Sequence, residues 1–221
     1  MALDNRLKLI ASFVRPGCRI ADIGTDHAHL PIFLVKNGVC PFAIASDIGE
    51  KPVAIARKNI AEARLEGQIS VRAGDGLSVI SPGEVDDLII AGMGGETIAG
   101  IIGAAGWLKN EKYRLILQPM TRSENLREYL FSEGFAIIDE QIAETGDKLY
   151  PVICAEYNPA AASEQAKRPA AVIRGGLNLS RDRKYLEKQR DRLLKAGNSL
   201  KNAGKFEEAE KFFKLADEIF K

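Results

Sequence analysis

Cysteine, histidine and long apolar runs are all scarce in this chain, and each scarcity closes a route. Three cysteines in 221 residues, Cys18, Cys40 and Cys154, form no CxxC pair and no metal-like spacing. They read as reduced structural thiols. The two histidines, His27 and His29, are too few and too close together to make a zinc site on their own, so no metal is expected. No run approaches the roughly 20 apolar residues that a bilayer crossing needs. The first eight residues lack the basic-then-apolar shape of a secretion signal. A cytoplasmic protein with no membrane partner is the expectation. The dinucleotide pattern GxGxxG is missing too: counted from Gly24, its later glycines would fall where Asp26 and His29 stand. An acid at position 26 would repel a pyrophosphate.

What is present is an ordinary globular composition, 46% hydrophobic and 28% charged. It is enough for one α/β domain with an appendage. Short apolar runs at 19–23, 42–47, 69–73, 87–91, 113–118, 135–142 and 149–156 read as strands. Helical periodicity at 28–37, 51–66, 95–105 and 124–133 falls between them, after a first helix near residues 3–14 that Pro16-Gly17 stops. Alternation of this kind implies parallel βαβ units in a doubly wound sheet. The last two strands, separated only by Thr145-Gly146-Asp147, imply an antiparallel hairpin on one edge.

Residues 1–159 are expected to form this domain, and 160–177, where Pro159, an alanine cluster, Pro169 and Gly175-Gly176 mark the change of composition, a linker. Residues 178–221 are expected to be an antiparallel helical hairpin, with Leu179, Leu186, Leu193 and Leu200 at intervals of seven. Charge divides along the same line. Residues 1–159 hold 16 Lys+Arg and 21 Asp+Glu, a net of −5, whereas 160–221 hold 15 and 9, a net of +6. A basic appendage on an acidic domain fits a polyanionic partner, and Arg181, Arg183, Lys184, Lys188 and Arg192 are its candidate contacts.

Candidate chemistry gathers at the predicted strand ends. Ile20-Ala21-Asp22-Ile23-Gly24-Thr25-Asp26-His27 is a buried strand running into a turn that opens a helix. Ligands of open α/β sheets bind just there, and Gly24 lets backbone approach a ligand closely. S-adenosylmethionine carries an ammonium and a sulfonium but no phosphate, so acidic neighbours suit it. Asp22, with Gly24 and Thr25, is placed at its amino group, Asp47 with Ile48 at the ribose, and Asp75 with Gly76 at the adenine. Ala91-Gly92-Met93-Gly94-Gly95 follows the fourth strand: Gly92 and Met93 are placed at the cofactor, Gly94 and Gly95 at a flat substrate. The (Asp/Asn)-Pro-Pro-aromatic motif common in enzymes that methylate exocyclic amines is absent.

Together, the strings at 22–31 (DIGTDHAHLP), 91–95 (AGMGG) and 117–119 (LQP) resemble the bacterial tRNA (adenine-22-N1)-methyltransferase family, as do Arg6-Leu7 and the segment 126–130. The resemblance implies a Rossmann-like class I methyltransferase fold, with a seven-stranded, mostly parallel sheet and a C-terminal helical hairpin. It also implies S-adenosylmethionine as cofactor and methylation of N1 of an adenine in the D-loop region of tRNA. Asp26 and His27 are the catalytic candidates; Arg6, Gln118 and Pro119 join the substrate contacts. Where the resemblance implies Gln-Pro-Asn after the fifth strand, this chain has Met120 as the third residue. Two readings stay open beside this one: a methyltransferase acting on a small metabolite or a protein, and a non-catalytic RNA-binding module that keeps a relic cofactor fold.

Overall fold

The first apolar run, Ile20–Ile23 (β1), is buried along its whole length, as a strand covered by helices on both faces must be. In the computed structural model, which describes residues 3–176 and 182–220, β1 lies inside a seven-stranded sheet. The other strands are β2 (Ala43–Asp47), β3 (Ile69–Ala73), β4 (Asp87–Gly94), β5 (Arg114–Thr121), β6 (Phe135–Thr145) and β7 (Lys148–Tyr157). Their order is β3-β2-β1-β4-β5-β7-β6. The first five are parallel and β7 is antiparallel to both neighbours.

Strand alternation sorts the core into two layers. Ala21, Ile23, Leu88, Ile90, Leu115 and Leu117 face α4 (Gly95–Gly103) and α5 (Ser123–Ser132). Ile20, Ile89 and Ile116 face α1 (Asn5–Phe13), α2 (His29–Lys36) and α3 (Glu50–Glu62). Side chains that alternate across a pleat require this division. No helix among the described residues is long and apolar enough to cross a membrane.

The expected linker is structured. Pro159–Ala166 forms α6 and Ala170–Gly175 forms α7. Asn158 caps α6, its side-chain oxygen accepting the Ala161 N–H at 3.1 Å, and Pro159 takes the first helical position. Proline there starts a helix and does not break one. Ile173 of α7 joins the core of the sheet.

A buried ion pair holds this segment. Arg127 of α5 donates through Nε to Glu140 of β6 at 2.9 Å, and neither side chain is exposed. The same guanidinium donates to the carbonyls of Ile173 and Arg174 at 3.1 Å. Tyr185, 2% exposed, lies against Arg127 and packs on Leu149 and Ile142. It belongs to α8 (Arg183–Asn202), which forms the expected hairpin with α9 (Phe206–Glu218). Leu186 and Leu193 lie on the hairpin's buried seam with Ala216 and Ile219; Leu179 lies outside the described residues.

Candidate active site

At β1 the strand order reverses: β2 lies on one side and β4 on the other. That switch point opens a crevice at the carboxyl ends of the strands. Asp22 stands there, 7% exposed, its Oδ2 accepting the Thr25 hydroxyl at 2.6 Å. Burial pushes its carboxyl up to about 6, against the Thr25 bond and the Arg6 charge, which pull it down; Asp47 adds to the rise. The Gly24 and Thr25 amides both donate to the Ser46 carbonyl, at 2.8 and 2.9 Å, which fixes the turn to β2. Gly24 has φ +77°, and a Cβ there would stand 2.3 Å from the Met93 methyl. Glycine is needed there for the backbone.

Two residues that are not glycine follow in left-handed backbone, Asp26 at φ +46° and Ala28 at φ +56°. Such conformations cost about 1–2 kcal/mol each and collect at functional turns. Asp26 is not the cap of α2: Ala28 takes that position, with no side-chain bond. Asp26 instead projects an exposed carboxylate 3.6 Å from His27 Nε2. The His27 carbonyl accepts from Asn59 at 2.9 Å, and its ring meets His29 edge-on at 5.3 Å. Burial first, and then His27, hold the His29 imidazole below its ordinary value, toward the neutral form.

The second and third expected acids sit where the strand reading put them. Asp47 Oδ1 accepts the Gly49 N–H at 2.8 Å, and its carbonyl accepts from Gly74 at 3.0 Å. The loops after β2 and β3 are thereby joined. Ile48 presents a large apolar side chain, 72% exposed, beside this acid. Asp75 and Gly76 line a cavity of about 520 Å³ with Thr97, Ile101 and Trp107.

The ends of β4 and β5 differ from expectation. Gln118 is fully buried, and its Oε1 accepts both Arg6 Nη1 at 2.9 Å and the Gly92 N–H at 3.2 Å. Pro119 is buried beside it. Gly94 continues β4, paired with Thr121. Gly95 is buried at the start of α4, where a Cβ would stand 2.3 Å from the Arg122 carbonyl oxygen. Pro119 and Gly95, expected at the substrate, offer it no surface; helix packing accounts for the glycine. Exposed at the same edge are Met120, whose sulfur accepts from Gln118 at 3.6 Å, and Arg122, left-handed at φ +56°. Sequence reading missed Arg122, and a lone arginine directly after a strand gives no signal of it.

The fold coincides with that of known proteins. A methyltransferase-domain family matches residues 3–153. The tRNA (adenine(22)-N(1))-methyltransferase of Bacillus subtilis is 44% identical over 156 residues, 71% of this chain and 66% of that protein's length. The crystal structure of the B. subtilis M1A22 tRNA methyltransferase superposes with a TM-score of 0.90 at 35% identity, covering 100% of this chain and 99% of that one. The putative tRNA (m1A22) methyltransferase of Streptococcus pneumoniae, in complex with S-adenosyl-L-methionine, gives 0.85 at 34%, with 100% of both chains covered. The chain belongs to the tRNA (adenine-22-N1)-methyltransferase family. Its fold is the class I methyltransferase fold, with a helical hairpin appended.

The basic hairpin residues fall into two groups. Lys184 pairs with Glu144, and Lys188 donates to the Asp147 carbonyl at 2.8 Å. Both therefore mount α8 on the β6–β7 turn, a role that charge counting does not disclose. Arg183 is exposed and pairs along its own helix with Glu187 at 3.1 Å. Arg192 is exposed and makes no ion pair among the described residues. Arg181 lies outside the described residues. No group of three or more His, Cys, Asp or Glu that could hold a metal occurs among the described residues.

Proposed function

We propose that this chain transfers the methyl group of S-adenosylmethionine to N1 of adenine 22 in the D-loop region of tRNA. The observation that carries the reading is the set of three acids, Asp22, Asp47 and Asp75, that rims the switch-point crevice beside the left-handed Gly24 turn. A cofactor with two positive centres and no phosphate fits acidic walls, and it supplies an electrophilic methyl. Asp22 and Thr25 face the amino-acid end, Asp47 takes the ribose hydroxyls, Ile48 covers one face of the adenine, and Asp75 with Gly76 takes its edge.

Adenine N1 has its own in-plane lone pair, so no residue has to remove a proton before attack. The work of the chain is then positioning: holding the lone pair, the methyl carbon and the sulfur in line. The product base is cationic, and a fixed negative charge at the mouth stabilises it as it forms. Asp26 supplies that charge, held by a strained turn beside His27. Bringing the target base to this mouth requires splaying it out of the tRNA fold. The exposed cations of α8 attract the phosphate backbone, and a tRNA substrate places the protein in the cytoplasm.

The test is mass mapping of an unmodified tRNA transcript incubated with the chain and S-adenosylmethionine. One 1-methyladenosine in the D-loop region is expected. It should stop reverse transcription, and mild alkali should convert it to the N6-methyl isomer. Direct formation of N6-methyladenosine, a methylated guanine, or methylation of small molecules alone would overturn the assignment.

A further inference from the structure

Between α2 and α3 a groove of about 570 Å³ opens, within the roughly 300–1,000 Å³ of small-ligand sites. Half-buried Phe33 and Ala63 give it apolar surface. Its polar lining is rich in acceptors. Asn37 and Asn59 each commit an amide N–H, to the Phe33 carbonyl at 2.7 Å and to the His27 carbonyl at 2.9 Å. Neither of their side-chain oxygens accepts a bond among the described residues. The exposed Glu62 carboxylate lies 3.8 Å from Lys58. Lys36 is exposed at the rim and makes no hydrogen bond or ion pair among the described residues. The groove begins where the strained turn ends: His29 lines it, and its ring meets His27 edge-on at 5.3 Å.

We infer that this groove seats the base of a nucleotide flanking the target adenine, while Lys36 takes that nucleotide's phosphate. The inference rests on the proposed tRNA substrate. The lining selects a base. An aromatic ring and a small apolar side chain receive a flat ring, and two amide oxygens with a carboxylate match its ring N–H and exocyclic amino donors. A bare phosphate entering the groove would meet Glu62 and be repelled. A purely apolar guest would leave the amide oxygens unpaired. Position selects the flanking nucleotide. A target base drawn out to Asp26 and His27 leaves its neighbour in the strand without a stacking partner, and the groove starts two residues further along the chain. Asn59 lines the groove and also holds the His27 carbonyl, so the turn and the groove grip successive nucleotides as one unit.

The test is a cycle in which the groove is filled and the base is removed. Affinity for tRNA is measured on the full chain loaded with S-adenosylhomocysteine, for wild type and Ala63→Trp. The ligands are an intact transcript and transcripts abasic at the position before or after the target adenine. Ala63→Trp is expected to weaken intact tRNA about 5–100-fold, the scale of one stacked base. One abasic transcript should bind wild type equally weakly, and Ala63→Trp should not distinguish it from intact tRNA. Lys36→Ala should lower the log-log salt slope by about 1. Unchanged S-adenosylmethionine affinity by calorimetry is expected for both variants and shows that they are folded; if Ala63→Trp does not fold, Glu62→Trp at the exposed rim fills the same space. Unchanged tRNA affinity with the groove filled would overturn the inference, as would equal losses for intact and abasic tRNA. Saturable binding of adenosine or guanosine monophosphate that tRNA does not displace would overturn it in favour of a free-nucleotide effector. If the cycle behaves as stated but no adenine N1 is methylated, the reading of the substrate atom fails and the groove stands as an RNA subsite.

Discussion

Replacing Asp22 by Asn separates the demands of binding from those of folding. In the ligand-free chain, burial lifts this carboxyl from 3.8 to about 6. At about 1.4 kcal/mol per pH unit, ionising it in the folded state costs about 3 kcal/mol. The direction follows from proton counts. Between about pH 4 and 6 the folded chain holds a proton on Asp22 that the unfolded chain has released, so stability falls as pH rises through that window and is level above it. Asn keeps the acceptor for the Thr25 hydroxyl, now bonded at 2.6 Å, and never ionises. Asp22→Asn should therefore melt higher than wild type at pH 7.5, by about 4–10 °C if 2–3 kcal/mol is recovered in a chain of this size. The gap should close near pH 4. The same variant should lose most of its S-adenosylmethionine affinity at every pH. Thermal melts of both proteins without ligand from pH 4 to 8, with calorimetric titration alongside, decide the matter. A variant that melts lower at pH 7.5, or a gap that does not change with pH, would refute the reasoning.

Three other outcomes follow from the geometry. Asp47→Ala should stay folded and weaken S-adenosylmethionine by about 1–3 kcal/mol, the scale of lost charge-assisted bonds; unchanged affinity by calorimetry would remove Asp47 from the ribose site. Arg127→Met removes the buried guanidinium that bonds Glu140 and the Ile173 and Arg174 carbonyls and should cost about 3–5 kcal/mol by urea unfolding; a loss under 1 kcal/mol would mean that Arg127 does not hold α7. Replacing both Arg192 and Lys195 by Ala should reduce the log-log salt slope of tRNA affinity by up to about 2 if each contacts one phosphate, and an unchanged slope would show that this face of α8 does not touch RNA.

The parts of this molecule that were legible in the sequence are those set by short-range pattern. Each parallel strand is a short apolar run, and a ligand of such a sheet must lie past its carboxyl end, so Asp22, Gly24, Asp47 and Asp75 could be placed by counting. What escaped depends on distant neighbours. Arg122 is left-handed at the start of α5, against Gly95 at the start of α4, and no local string encodes that contact. Gln118 and Pro119 were expected to face a substrate, but β5 is an interior strand covered on both faces, and both residues are buried. Lys184 and Lys188 read as phosphate contacts because their partners, Glu144 and Asp147, lie about 40 residues earlier. The segment after Asn158 was misread for a local reason: proline and alanine beside an asparagine cap open a helix, and the proline was counted as a break.

The buried Arg127 also sets an order of events during synthesis. A guanidinium cannot be desolvated until its acceptors exist, and here they come from Glu140, Ile173 and Arg174, with Tyr185 laid over them. The sheet is complete at Tyr157, but α5 cannot close down on it until some 30 further residues have left the ribosome. A nascent chain whose first 160 residues have cleared the ribosomal exit tunnel should therefore carry all seven strands and still present an open, protease-sensitive flank at α5, and emergence of Tyr185 should seal it.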